Sequence, residues 1–190
     1  MDSGGPLTGV QRAAIRLQEL IDRLGDGAII GGVAVGLHSD YRSTHDVDAI
    51  LWAESIEPKT VLEEAERMGI VPRVPNVLED AQRILVMRLR DNKSGVPLDL
   101  SLAFTPFEKE AIERSISIQT PIGELRIATP EDIVIMKGVA QREQDLADIV
   151  SIAAHNPALD WGRIEFWLTE FGNALELPDL WSTVKALKHE

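Results

Sequence analysis

Residues 31–51 read GGVAVGLHSDYRSTHDVDAIL. The run joins a glycine pair, Gly31 and Gly32, to two aspartates, Asp46 and Asp48, with thirteen residues between Gly32 and Asp46. The aspartates flank Val47 where the pattern turns apolar. If DVDAIL is a strand, the two-residue period puts both carboxylates on one face. Two carboxylates side by side repel unless something positive stands between them. A magnesium ion that also holds a substrate phosphate fills that role.

Outward from this run, the apolar pattern alternates between helical and strand periods. VQRAAIRLQELIDRLGD has helical spacing and a stop at Gly25. GAII reads as a short buried strand ending at the glycine pair, VAVGLHS as a two-turn helix, SDYRST as a polar loop and VDAILWA as a strand. Residues 57–69 suit a helix beginning beside Pro58. VPRVPNVLEDA, with two prolines, reads as a loop. RILVMRLRD and VPLDLSLAF read as a hairpin around NKSG, FEKEAIERS as a helix, and SISIQT and ELRIA as two short strands. TPEDIVIMKGVAQREQDLADIVSIAAH reads as one long helix, with Thr129 as its N-cap and Pro130 in its first turn. WGRIEFWLTEFGNAL and LPDLWSTVKALK suit two more. The expected class is α/β (α+β): a mixed sheet core over residues 1–128, and a helical C-terminal part over 129–190 packed on it. The aromatic residues Trp161, Phe166, Trp167, Phe171 and Trp181 are assigned to core or a dimer face rather than to base stacking.

Composition narrows the class. The chain has 190 residues, 44% apolar and 26% charged, which is ordinary for a globular protein with a proper core. It has no cysteine, which excludes disulfides and thiolate chemistry. The most apolar stretch, GAIIGGVAVGL, is too short and glycine-rich to span a bilayer. MDSGGPLTG lacks the basic and apolar regions of a signal peptide. A cytoplasmic location without membrane contact is expected. The net charge of -12 weighs against extended nucleic-acid binding. Arg83, Arg88, Arg90 and Lys93 form a local basic stretch, read as a solvated hairpin edge.

Four signals carry chemistry. Gly31 and Gly32 allow backbone N–H groups to approach a phosphate, with a helix dipole behind them; alone, the pair marks only a tight strand-to-helix turn. Asp46 and Asp48 sit in a buried apolar strand, where carboxylates need a partner. Asp99 is the one acid in the alternating strand VPLDLSLAF and points away from the leucines. With the first two it makes a candidate carboxylate cluster for two-metal phosphoryl transfer, Asp99 also serving as base. Arg42 and Thr44, just before Asp46, and Lys137 are candidate triphosphate contacts. Arg142, Asp145 and Asp148 are read as ion pairs on a helix surface.

The arrangement of GG, RSTHDVD and a later LDL strand resembles the nucleotidyltransferase superfamily of DNA polymerase β type. RSTHDVDAIL and the later TPEDIVIMK…RxxDLADI segment look like AbiEii-type nucleotidyltransferases, which include toxins of bacterial toxin–antitoxin systems. The resemblance covers roughly residues 27–150. It implies a mixed sheet with helices on one side, Mg²⁺ (or Mn²⁺) and a nucleoside triphosphate. Asp46 and Asp48 match the metal-binding acids, Asp99 the third acid, Gly31 and Gly32 the phosphate-binding turn, and Lys137 a triphosphate-contacting lysine. Gly32 stands where many relatives have serine. The chain is shorter than many toxin relatives, and its acidity fits an RNA acceptor poorly. Transfer of a nucleoside monophosphate to an acceptor hydroxyl or phosphate on protein, tRNA or a small molecule is the expected function. The alternative from another class is a catalytically silent component of a toxin–antitoxin or regulatory system that binds a partner such as a cognate antitoxin. A third reading has the acids satisfied by Arg42, Arg88 or Arg90.

Overall fold

The computed structural model describes residues 8–39, 43–54, 56–120 and 123–188. It resolves into two compact units. Residues up to Val33, together with Ser43–Ala128, make the first; the stretch beginning at Ala34 and the residues from Thr129 onward make the second.

The first unit is built on seven strands. They are β1 (Gly27–Ile30), β2 (Val47–Trp52), β3 (Ile70–Pro72), β4 (Val86–Asp91), β5 (Pro97–Ala103), β6 (Ile116–Thr120) and β7 (Gly123–Ile127). Their order across the sheet is β3-β4-β5-β2-β1-β7-β6. β2 runs parallel to β5 and β1 parallel to β7; the other pairings are antiparallel, so the sheet is mixed. Four helices belong wholly to this unit: α1 (Gly9–Leu24), α3 (Pro58–Arg67), α4 (Val77–Ile84) and α5 (Pro106–Glu113). α2 (Gly31–His38) follows β1 without an intervening loop.

Alternation explains which strand residues form the core. Val47, Ala49, Leu98, Leu100, Met87 and Leu89 are all buried, as are Leu17, Leu20 and Ile21 from the apolar stripe of α1. α1 starts where the sequence signals it: the Thr8 hydroxyl accepts from the Gln11 N–H at 3.2 Å, and the Gln11 side chain accepts from the Thr8 N–H at 2.9 Å. A buried charge fixes the β4–β5 hairpin. Asp91 accepts from Arg16 Nε at 2.7 Å and from the N–H and hydroxyl of Ser94 at 2.9 and 2.6 Å. Burial acts to raise the Asp91 carboxyl, but the Ser94 and Arg16 hydrogen bonds outweigh it and hold it below its ordinary value.

Two expectations fail here. VPRVPNVLEDA is not a loop: Ile70–Pro72 form β3, and α4 begins at Val77, beyond Pro75. The basic stretch is not one hairpin edge. Arg83 lies on α4, and β4, which carries Arg88 and Arg90, is covered by β3.

The second unit contains α2 from Ala34 and four further helices, α6 (Pro130–Ala140), α7 (Glu143–His155), α8 (Trp161–Leu175) and α9 (Leu180–Lys185). The single long helix expected over 129–155 is two. Gln141 adopts a left-handed conformation (φ 49°), and α7 restarts at Glu143 with Asp145 accepting from the Arg142 N–H at 3.2 Å. α6 packs closely on its neighbours: a Cβ on Gly138 would lie 2.9 Å from both Leu168 and Val184 side chains. Fully buried Asp132 ties α6 to α8 through Arg163 Nη2 at 2.8 Å and Nε at 3.0 Å. On α8, Ile164, Leu168 and Gly172 are buried, while Phe166 is exposed and Trp161, Trp167 and Phe171 are half-buried. Among the described helices, none is long and apolar enough to cross a membrane.

Candidate active site

Strand register lines up three charged residues of the first unit in one row. Ile30 of β1 faces Asp48 of β2, Asp48 faces Asp99 of β5, and Asp99 faces Arg88 of β4. The row continues to Arg73 just after β3, whose N–H donates to the Arg88 carbonyl at 2.9 Å. Directly opposed residues of paired strands share a face. Since their neighbours Val47, Ala49, Leu98, Leu100, Met87 and Leu89 fill the core, Asp48, Asp99 and Arg88 project from the opposite face. All three are partly exposed.

Asp48 meets the glycine pair directly. Gly31, the first residue of α2, has φ +61°, and a Cβ built on it would stand 2.0 Å from Asp48 Oδ2 and 2.8 Å from Asp48 Cβ. Only glycine combines that backbone conformation with a carboxylate at such range. Gly31→Ala is expected to destabilise the protein by about 2 kcal/mol, the sum of left-handed strain and steric conflict. Urea denaturation checks it. The loss should shrink in an Asp48→Gly background; equal losses in both backgrounds would show that the contact is irrelevant.

Asp46 precedes β2. The Thr44 hydroxyl donates to Asp46 Oδ1 at 2.7 Å, so Thr44 orients a carboxylate. Arg42 lies outside the described residues. Asp99 is engaged by a residue that the sequence reading did not single out: Arg73 Nη2 donates to Asp99 Oδ1 at 2.5 Å. Arg88, the register neighbour of Asp99, reaches Asp80 of α4 at 3.6 Å. Among the described residues, the ion pair of Asp99 is thus with Arg73, while Arg88 turns to Asp80. Among the described residues, no three His, Asp or Glu side chains are gathered into a ready metal-ligand set.

The donor chemistry nevertheless suits magnesium. Mg²⁺ prefers oxygen ligands and is commonly held by one or two carboxylates, with substrate phosphates and waters completing its shell. Asp48, standing on the partly exposed face against a glycine turn, offers one such carboxylate, and Asp46 is two residues away.

Lys137 lies in the second unit with its side chain 9% exposed. Its Nζ is 2.9 Å from Asp145 Oδ1 and 2.7 Å from Asp148 Oδ2. Arg142 Nε reaches Asp145 Oδ2 at 2.6 Å. Asp145 and Asp148 are therefore buried partners of a lysine, not members of an exposed helix-surface ladder.

Comparison with known proteins gives a family and a fold. A family described as nucleotidyltransferase of unknown function (DUF6036) has a model that matches residues 7–177. The chain belongs to this family. Two solved structures have a similar fold. One is an antigenic nucleotidyltransferase-like protein from Paracoccidioides brasiliensis (TM-score 0.54, 20% identity, covering 96% of this chain and 95% of that one). The other is JHP933 from Helicobacter pylori (TM-score 0.50, 17% identity, covering 94% and 85%). No curated protein matches the chain.

For this nucleotidyltransferase-family chain, Arg73 is the residue that sequence reasoning missed. Its one signal was being the only cation in VPRVPNVLEDA. Its partner could not be read off, because β3 was not foreseen and so its register was not available.

Proposed function

We propose that this chain is a metal-dependent nucleotidyltransferase moving a nucleoside monophosphate from a nucleoside triphosphate to an acceptor hydroxyl or phosphate. The observation that carries the reading is the in-register pair Asp48–Asp99 on the face opposite the core, with Asp48 pressed against Gly31 at the start of α2. Asp46 and Asp48 would hold Mg²⁺ or Mn²⁺, with Asp99 as a further ligand once freed from Arg73. The cation would supply charge neutralisation at the phosphates. Thr44 keeps the Asp46 carboxylate oriented. The N–H groups at Gly31 and Gly32, at a helix N-terminus, suit phosphate oxygens. Asp99 would accept the proton of an attacking acceptor hydroxyl.

The likeness of RSTHDVDAIL to AbiEii-type enzymes supports a cytoplasmic role with a protein, tRNA or small-molecule acceptor. It also keeps a toxin paired with an antitoxin in view. Incubation with α-labelled nucleoside triphosphates, Mg²⁺ or Mn²⁺ and acceptors of these three classes tests the reading. Label transfer is expected with one of them. No transfer to any, together with no metal-dependent nucleotide binding, would end it. One observation favours a second reading: Asp99 is ion-paired with Arg73. A catalytically silent component acting through protein binding would keep that pair permanently, and its biological activity would survive Asp46→Asn.

A further inference from the structure

We propose that Arg73 is the resident counter-ion of Asp99 and competes with the divalent cation for that carboxylate, so that cation binding and release of the Arg73 guanidinium are coupled. The inference rests on the proposed function, and it assigns a role to a residue that the reaction scheme does not otherwise use.

The geometry supports an exchangeable pair rather than a structural one. The two side chains are 36% and 31% exposed, so neither is locked by packing. Arg73 stands between the end of β3 at Pro72 and the start of α4 at Val77, outside regular structure. Its backbone is fixed by the hydrogen bond to Arg88 while its side chain is held by Asp99 alone among the contacts described here. The guanidinium can therefore leave Asp99 without disturbing a strand. Contrast Asp91, whose arginine pair is buried and reinforced by Ser94.

Charge supplies the driving force. Asp48 and Asp99 are direct cross-strand neighbours, and like charges so placed repel. Arg73 offsets that repulsion when no cation is present. A divalent cation offsets it better, and the displaced guanidinium stays beside the row by its backbone tether. Its planar fork of donors matches phosphate oxygens, so the anion that arrives with the cation is its natural next partner.

The test uses the full chain and Mn²⁺ without nucleotide, with bound ion read by electron paramagnetic resonance. Arg73→Ala should bind Mn²⁺ roughly two- to fivefold more tightly than the unaltered protein, the range that an exposed ion pair is worth. Arg73→Gln should behave like Arg73→Ala, and Arg73→Lys should lie between it and the unaltered protein. Arg88→Ala removes an equal charge from the row without touching Asp99 and should change affinity less. In an Asp99→Asn background Arg73→Ala should have no effect. Unchanged or weaker binding in Arg73→Ala, equal shifts in Arg73→Ala and Arg88→Ala, or a shift that persists without Asp99 would each overturn the competition while leaving the proposed function standing. Absence of Mn²⁺ binding by every variant would overturn the competition, and the label-transfer assay decides the proposed function independently.

Discussion

Asp48→Asn is expected to lower nucleotidyl transfer by about a thousandfold or more, a loss of about 4 kcal/mol in transition-state stabilisation. Asp48 is the carboxylate that joins the two halves of the site. It lies in register with Asp99 and against the glycine at the head of α2. The isosteric amide keeps the shape but loses the charge that a cation needs. Asp46→Asn should act in the same direction; its amide can still accept from Thr44, so local structure is retained. Neither change should unfold the protein. The isosteric amide preserves the packing of the side chain, so the melting temperature of Asp48→Asn should stay close to that of the unaltered chain. Initial rates with labelled nucleotide and thermal unfolding of the same samples check both halves. A large loss of stability in Asp48→Asn would mean that the residue is structural.

Asp145→Asn is expected to cost about 3 kcal/mol of stability, with the helical unit as the part affected. The Asp145 carboxylate accepts from Lys137 at 2.9 Å, from Arg142 Nε at 2.6 Å and from the Arg142 N–H at 3.2 Å. Loss of the charge leaves a buried lysine with Asp148 as its sole described carboxylate partner, and one of the two oxygens that hold Lys137 and cap α7 becomes an amide NH2. Burial alone would raise the Asp145 carboxyl, but hydrogen bonds from Arg142 and Lys137 outweigh it and lower it from 3.8 to about 2. A lowered folded-state value means that the unfolded chain takes up the proton first as pH falls. The stabilisation is therefore complete above about pH 4, declines below it, and is gone once the pH has fallen through about 2. Urea denaturation between neutral and acid pH should show this limb in the unaltered protein, and a shallower one in Asp145→Asn. Identical pH dependence in both would contradict the assignment.

Much of the sheet was legible in the sequence because its decisive strands alternate around their aspartates. DVDAIL and VPLDLSLAF declared both their length and their polar face, and GAII ended at a glycine pair. That alternation also placed Asp99 on the face away from the leucines before any pairing was known. What stayed hidden depended on long-range register or on weak local signals. β3 is three residues long, too short to show a period, and Pro72 within it and Pro75 after it read as loop. Without it Arg73 had no place beside Arg88 and no route to Asp99. The break between α6 and α7 falls on Gln141, a residue with no mark of a helix end, in a left-handed conformation that glycine or asparagine would have signalled. That break decides what Lys137 does. In one continuous helix Lys137 and Asp145 would lie about 12 Å apart along the axis. The turn at Gln141 brings them to 2.9 Å.

The central claim is that Asp46 and Asp48 bind a divalent cation together with a nucleoside triphosphate. Calorimetric titration of the full chain with a non-hydrolysable nucleoside triphosphate, with and without Mn²⁺, tests it most directly. Binding is expected to require the cation and to be abolished in both Asp46→Asn and Asp48→Asn. Nucleotide binding that is indifferent to the cation, or that survives both substitutions unchanged, would contradict it.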